Sequence, residues 1–335
     1  MRMKKKVSVI GDGGWGTTLA MLLVEKDCNV TLWSYDCNYA EVLENTRENK
    51  KYFPGFKIPE EIRITSDLDS ATVDKDFIVL AVPSKFFRSV VKNIKKFSNE
   101  AIFISVAKGI EIDTFKRMSE VINEELGEVN IAVLSGPSIA YEVAVKKPTS
   151  VVVAAYREEI AGKVQELFFT SYFRVYTSED VVGVELGGAL KNIIAIAAGI
   201  CDGLGLGTNS KSALLSRGLA ELIRLGKFLG AEPQTFFGLS GMGDMITTCF
   251  SCRSRNRWVG EEIGKGKKLD EVLERMEMVA EGVYTVKAVN NFIKLYNIDM
   301  PIAHKVYEVL YENKSPDIAV RELMARGPKS EKLIN

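Results

Sequence analysis

Lys191 is the residue in this chain whose setting best suits proton transfer. It interrupts an apolar run, Leu186-Gly-Gly-Ala-Leu190 on one side and Ile193 to Ile200 on the other. An unpaired ammonium buried in such a helix costs several kcal/mol. It therefore either snorkels to solvent or faces a cleft. In a cleft, desolvation lowers a lysine's pKa and lets it exchange a proton near neutral pH. His304 is the only histidine; it follows Pro301 in a helix-like segment with no other motif beside it. A structural role suits it better, so acid–base chemistry falls to lysine or a carboxylate.

Further groups carry chemistry of other kinds. Gly241-Met242-Gly243-Asp244 precedes Thr247-Thr248, and then Arg253-Ser254-Arg255-Asn256-Arg257 places three arginines in five residues. That run is either a solvated loop or a guanidinium clamp for a phosphate, which arginine grips bidentately. Near the start, Gly11-Asp12-Gly13-Gly14-Trp15-Gly16 follows the apolar run Val7 to Ile10 and opens the helix-like stretch Thr17 to Val24. A strand, a G-x-G-x-x-G turn and a helix form a dinucleotide-binding fingerprint: Gly11 permits the tight turn, Gly13 admits a pyrophosphate, and Gly16 allows close helix packing. The helix start favours the phosphate's charge.

The elements that must position these groups change character along the chain. Val7–Ile10, Val30–Trp33, Phe77–Val82, Ile102–Val106 and Ile131–Leu134 read as buried parallel strands, with Thr149–Ala155 and Phe173–Tyr176 extending the sheet. Helices are expected over Thr17–Lys26, Tyr39–Asn49, Lys85–Lys95 and Thr114–Leu126, and a loop over Lys50–Pro59. This alternation predicts an α/β, Rossmann-like doubly wound sheet domain over residues 1–178. Residues 179–335 read as an all-α C-terminal domain, with helices over Val182–Ile200, Ser210–Leu229, Leu269–Met276, Val283–Leu295, Ile302–Glu312 and Pro316–Arg326. Ligands of such sheets bind beyond the carboxyl ends of the strands. Ser84, Lys108-Gly109 and Ser135-Gly136-Pro137-Ser138 all fall there. Turns explain the glycines and the proline, but explain Lys108 less well.

Composition narrows the class. The 335 residues carry 44 Lys plus Arg against 44 Asp plus Glu, so no global charge draws the chain to nucleic acid or acidic membranes. Five scattered cysteines argue for reduced thiols in a cytoplasmic protein. Cys249-x-x-Cys252 lacks the second pair of a zinc site, so no metal is expected. The start carries no signal-peptide pattern. The apolar stretch Leu186–Ile200 is too short for a membrane span and contains Lys191.

Taken together, seven segments in order resemble the NAD(P)-dependent glycerol-3-phosphate dehydrogenases of bacterial type, over nearly the whole chain. They are Gly11–Gly16, Val106-Ala-Lys-Gly109, Leu134-Ser-Gly-Pro-Ser-Ile-Ala140, Leu190-Lys-Asn192, Gly241-Met-Gly-Asp244, Ser254-Arg-Asn256 and Val279-Ala-Glu-Gly282. The resemblance implies interconversion of dihydroxyacetone phosphate and sn-glycerol 3-phosphate with NAD(P)H, supplying phospholipid synthesis, by a cytoplasmic homodimer. It implies that Lys191 is the catalytic proton acceptor and donor. Lys108, Gly136, Ser138, Lys191, Asn192, Asp244, Ser254, Arg255 and Asn256 would meet the substrate. Gly11, Gly13, Gly14, Trp15, Gly16, Tyr35, Lys108, Ala140, Arg255, Val279 and Glu281 would meet the dinucleotide. Lys108 and Asn192 would either hydrogen-bond the reacting oxygen or orient Lys191. At Ser34-Tyr35 many relatives carry a basic residue that can meet a 2′-phosphate. Asp36 lies where a carboxylate would hold the ribose, but the strand ends at Trp33 and Asp36 points past it, so both cofactors are expected to work. Two alternatives stay open: a related dehydrogenase of another small hydroxy acid, and a non-catalytic dinucleotide sensor.

Overall fold

The computed structural model describes residues 4–328, 330 and 331. The chain divides into two compact units. One takes the residues up to Ala107 together with Met118–Val181; the other takes Lys108–Arg117 and the residues from Val182 on. The excursion Lys108–Arg117 thus belongs with the helices, although it lies in the middle of the sheet sequence.

The sheet unit runs β1 (Lys6–Ile10), α1 (Gly14–Glu25), β2 (Asn29–Trp33), α2 (Cys37–Thr46), β3 (Arg63–Thr65), α3 (Leu68–Thr72), β4 (Phe77–Leu80), α4 (Ser84–Val91) and β5 (Ile102–Ser105). It continues with α5 (Met118–Leu126), β6 (Asn130–Ser135), α6 (Ala140–Ala144), β7 (Thr149–Ala154), α7 (Glu158–Phe168) and β8 (Phe173–Ser178). The eight strands lie in the order β3-β2-β1-β4-β5-β6-β7-β8. All pairs are parallel except β6 with β7. The continuous apolar runs are explained by burial on both sides. Successive residues feed opposite cores: Val7 and Val9 pack with α1 and α7, while Ile10, Ile78 and Leu80 pack with α4 and α5. Strand order reverses beside β1, and the glycine turn stands at its carboxyl end, the switch point where such sheets take ligands.

Several details depart from expectation: α3, α6 and α7 were not among the expected helices, and α2 starts two residues early, at Cys37. The edge strand β3 was not anticipated, and the helix expected from Thr114 starts at Met118. Residues 114–117 instead belong to the excursion, where Ile110 bridges Arg117 in antiparallel fashion.

The helical unit contains α8 (Val181–Gly203, whose first residue clusters with the sheet unit), α9 (Gly207–Phe228), α10 (Asp244–Phe250), α11 (Arg255–Gly264), α12 (Leu269–Leu273), α13 (Glu281–Tyr296), α14 (Pro301–Tyr311) and α15 (Pro316–Met324). A single core unites them. α8 is apolar nearly all round, as a helix buried by neighbours on every side must be. Its 23 residues exceed the stretch read from sequence and are long enough to cross a membrane. Burial settles the matter instead of length, since 94% of its most apolar window lies inside the protein. α8 and α11 cross at glycines. A methyl group at Gly199 would overlap the Arg257 carbonyl oxygen, and one at Gly260 would overlap that of Ile196. Backbone-to-backbone contact of this kind brings Asn192 and Asn256 side by side. The arginine run 253–257 is only partly loop; from Arg255 it opens α11.

Candidate active site

In the sheet unit the site is made of backbone. Gly11 has φ +115°, which L side chains rarely adopt, and donates its N–H to the Trp33 carbonyl at 3.0 Å. A methyl group at Gly16 would run into the Gly11 carbonyl, so α1 packs against the turn only with glycine there. Around Gly13 the situation is opposite: an added methyl group would meet nothing within 4 Å. No side chain caps the start of α1, so its first N–H groups suit an anionic ligand in that space. Asp12 points elsewhere. Its carboxylate accepts from Ser34 Oγ at 2.9 Å, and its carbonyl accepts from Asn49 Nδ2 at 2.6 Å. Burial pushes the Asp12 carboxyl up, and the hydrogen bond from Ser34 opposes this.

The other residues expected in this unit take definite places. Trp15 tilts against Phe173, with ring centroids 6.4 Å apart. Tyr35 is 81% exposed and sits edge-on to Trp33. Asp36 is the N-cap of α2: its Oδ1 accepts from Asn38 N at 2.9 Å and Tyr39 N at 3.2 Å. A carboxylate committed to a helix cap is less available to a ribose. Gly136, φ +134°, ends β6, where Ser138 Oγ donates to its carbonyl at 2.9 Å, and Ala140 opens α6.

In the helical unit the site is made of side chains, and its centre is a carboxylate shared by two lysines. Lys191 is only 5% exposed, so its side chain does not snorkel out of the core. Its Nζ donates to Asp244 Oδ1 at 2.6 Å, and the Lys108 Nζ donates to Asp244 Oδ2 at 2.7 Å. Lys191 donates also to Thr248 Oγ1 at 2.6 Å, whose own hydroxyl donates to the Asp244 carbonyl at 2.7 Å. Asp244 heads α10 directly after a π-helical turn, Leu239–Gly243. One helical turn separates Asp244 from Thr248, which puts both on the face that meets Lys191. Burial is the largest influence on Lys191 and lowers it to about 8; Asp244 opposes this and the Lys108 ammonium adds to it. Thr248 was not among the expected site residues. Its spacing of four from Asp244 is the signal that marks it.

Amides support this centre. Asn192 Nδ2 donates to the Lys108 carbonyl at 3.0 Å, while its Oδ1 accepts from Asn256 Nδ2 at 2.9 Å. Asn256 Oδ1 in turn accepts from Gly282 N at 2.9 Å. Asn192 therefore orients the backbone that carries Lys108. Ser254 caps α11 by accepting from Arg257 N, and Arg255, exposed, donates to the Val279 carbonyl at 2.7 Å. Glu281 opens α13 beside that segment. Arg257 joins a different ion cluster: with Lys211 it holds Asp202, at 2.7 and 2.8 Å. Nothing in the sequence pattern tied these three together.

Thus Lys108, Lys191, Asn192, Asp244 and Asn256 form one hydrogen-bonded cluster, and Arg255 joins Val279. Ser254 caps α11 with its side chain and donates its N–H to the Ser251 carbonyl at 3.1 Å. Gly136, Ser138, Ala140, Tyr35 and the glycine turn belong to the sheet unit.

Comparison with known proteins agrees in both units. Residues 6–161 match the N-terminal domain, and residues 180–321 the C-terminal domain, of NAD-dependent glycerol-3-phosphate dehydrogenase. The chain belongs to this family. It is 52% identical over 330 residues to the glycerol-3-phosphate dehydrogenase [NAD(P)+] of Chlorobium phaeobacteroides, covering 97% of this chain and 99% of the relative. That of Fusobacterium nucleatum is 50% identical, covering 97% and 98%. A solved glycerol-3-phosphate dehydrogenase from Coxiella burnetii superposes with a TM-score of 0.93 at 36% identity, over 96% of this chain and 99% of that one. As a member of the family the chain is an NAD(P)-dependent oxidoreductase with a Rossmann-like domain, and the open, uncapped turn at Gly13 fits the dinucleotide.

Proposed function

We propose that the chain interconverts dihydroxyacetone phosphate and sn-glycerol 3-phosphate, the product serving phospholipid synthesis. NAD(P)H, when bound, supplies the hydride chemistry. The observation that carries the reading is the Asp244 carboxylate gripping two ammonium groups, one of them deeply buried.

Each residue has a distinct task. Two of the three N–H groups of Lys191 are directed by Asp244 and Thr248, leaving one to aim at the substrate oxygen. Near neutral pH Lys191 is mostly protonated and gives its proton to the oxygen of the reduced carbonyl. Close to its pKa of about 8 it also serves as the acceptor in the reverse direction. Lys108 adds positive charge where negative charge develops on that oxygen. Arg255, with Ser254 and Asn256, takes the phosphate; Gly136 and Ser138 complete the substrate contacts. Gly11, Gly13, Gly14, Trp15, Gly16, Tyr35, Ala140, Val279 and Glu281 would hold the dinucleotide. A cytoplasmic homodimer is the proposed working form.

Steady-state NADH oxidation with dihydroxyacetone phosphate, set against non-phosphorylated ketones, tests the reading. Strong preference for the phosphorylated ketone supports it. Equal rates would favour a dehydrogenase of another small hydroxy compound, and no turnover at all a dinucleotide sensor.

A further inference from the structure

The excursion Lys108–Arg117 leaves the sheet sequence and clusters wholly with the helical unit. It begins with Lys108 and closes on itself: Glu111 N donates to the Lys116 carbonyl at 3.0 Å, and Ile110 bridges Arg117. Three further contacts fasten it to the helices. Ile110 is buried in the helical core. Arg117 pairs with Glu185 of α8 at 2.6 Å, and both side chains are largely shielded from solvent. Phe115 lies flat on Phe292 of α13, with centroids 4.0 Å apart and rings within 14° of parallel. Phe292 is itself packed on Tyr296 and Phe228.

Phe115 is also strained. Its φ is +59°, a left-handed conformation that is a true outlier for a bulky side chain. Backbone strain of about 1–3 kcal/mol persists only where surrounding contacts hold it, and here the ring stack does so. A glycine would satisfy the turn without strain. What phenylalanine adds is the ring.

We propose that Phe115, with Arg117 and Glu185, is a positioning device that holds Lys108 against Asp244 within the helical unit. The inference rests on the roles given to Lys108 and Lys191 above. The titratable groups acting on Lys191 are Asp244 and Cys249 from α10 and Lys108 from the excursion. Cys249 is a buried thiol pushed up to about 12 and hence uncharged. Lys108 is the one neighbouring cation the excursion controls. When it swings away, Lys191 loses a repelling charge and titrates at higher pH.

The test uses the full-length protein with Phe115→Gly, which suits the left-handed backbone but lacks the ring, and Phe115→Tyr, which keeps the ring. Two readouts are taken. The first is independent of turnover: the rate at which Lys108 is labelled by a lysine-acylating reagent, mapped by mass spectrometry, with an exposed lysine such as Lys287 as reference. The second is the KM for dihydroxyacetone phosphate and the pH dependence of kcat. In Phe115→Gly, Lys108 is expected to label faster while Lys287 is unchanged. KM should rise about tenfold, and the fall of kcat near pH 8 should move to higher pH. Phe115→Tyr should restore all three. Unchanged labelling of Lys108 in Phe115→Gly, with or without a lower melting temperature, overturns the proposal. Faster labelling with unaltered kinetics supports the positioning device and instead refutes the role given to Lys108.

Discussion

The glycine turn and the lysine pair make opposite use of the chain. The turn is a site of six consecutive residues in which absent side chains matter most: at Gly13 nothing stands within 4 Å of where a methyl group would be. The lysine pair draws on residues from 108 to 282, and every functional atom belongs to a side chain or to an amide a side chain holds. Glycine serves both, for different reasons. In the turn it opens space for a ligand. Between α8 and α11 it removes space, so that two asparagines can meet. A backbone site depends on local conformation, whereas a side-chain site depends on the packing of distant helices. The two should therefore fail in different ways.

The largest effect is expected at the centre of the side-chain site. Lys191→Ala should lower kcat by roughly 10²–10⁴-fold, the usual loss of a general acid–base group, while dinucleotide affinity measured by fluorescence titration stays near wild type. Loss of both together would mean that the two sites are not separable in this way.

Packing comes next. In Gly260→Ala the new methyl group collides with the Ile196 carbonyl, and both atoms sit on helical backbone that yields little. Destabilisation of about 3 kcal/mol is expected, read from denaturant unfolding, along with loss of the Asn192–Asn256 contact. Wild-type stability would show that the helices separate at little cost and that glycine is not what fixes the crossing.

Arg255→Ala is a smaller, local change. Loss of one charge-assisted contact to phosphate should cost on the order of 1.5–3 kcal/mol, seen as a raised KM for dihydroxyacetone phosphate. An unchanged KM would leave Arg255 as only a strap for the Val279 carbonyl. Weakest of all is the choice of cofactor. With Asp36 engaged as a helix cap and Tyr35 exposed, kcat/KM with NADH and NADPH should differ by no more than roughly 100-fold, about 2.7 kcal/mol. A much larger preference for NADH would show that Asp36 leaves its cap to meet the ribose.

The same contrast explains what could be read from sequence. β4 and β5 stood out because buried parallel strands are short continuous apolar runs, whereas the edge strand β8 showed instead by its alternation of buried and exposed residues. β3 did not stand out, being three residues at the sheet edge with Ile64 as its only apolar one. The glycine turn was legible since its function is encoded locally. Lys191 stood out as a charge in an apolar helix, but its partner lies 53 residues away, and only packing identifies it. Thr114–Arg117 carried a helical pattern continuous with α5; bridging of Ile110 to Arg117 and stacking of Phe115 on Phe292 overrode that local preference. α11 as a whole was not read, because its opening run Arg253–Arg257 is polar on every face and its apolar contribution begins only with Trp258 and Val259.

Burial lowers Lys191 to about 8, against the pull of Asp244 and with the push of Lys108, and we propose it as the proton-transfer group. Measuring kcat against pH in both directions, for wild type and Lys191→Arg, tests it most directly. With the proton donor required for reduction and the acceptor for oxidation, wild-type reduction should fall and oxidation should rise through pH about 8. The arginine variant, which keeps its charge throughout this range, should lose most of its rate in both directions and show neither limb. Limbs near pH 8 that persist in an active arginine variant would contradict the account and assign the proton to another group.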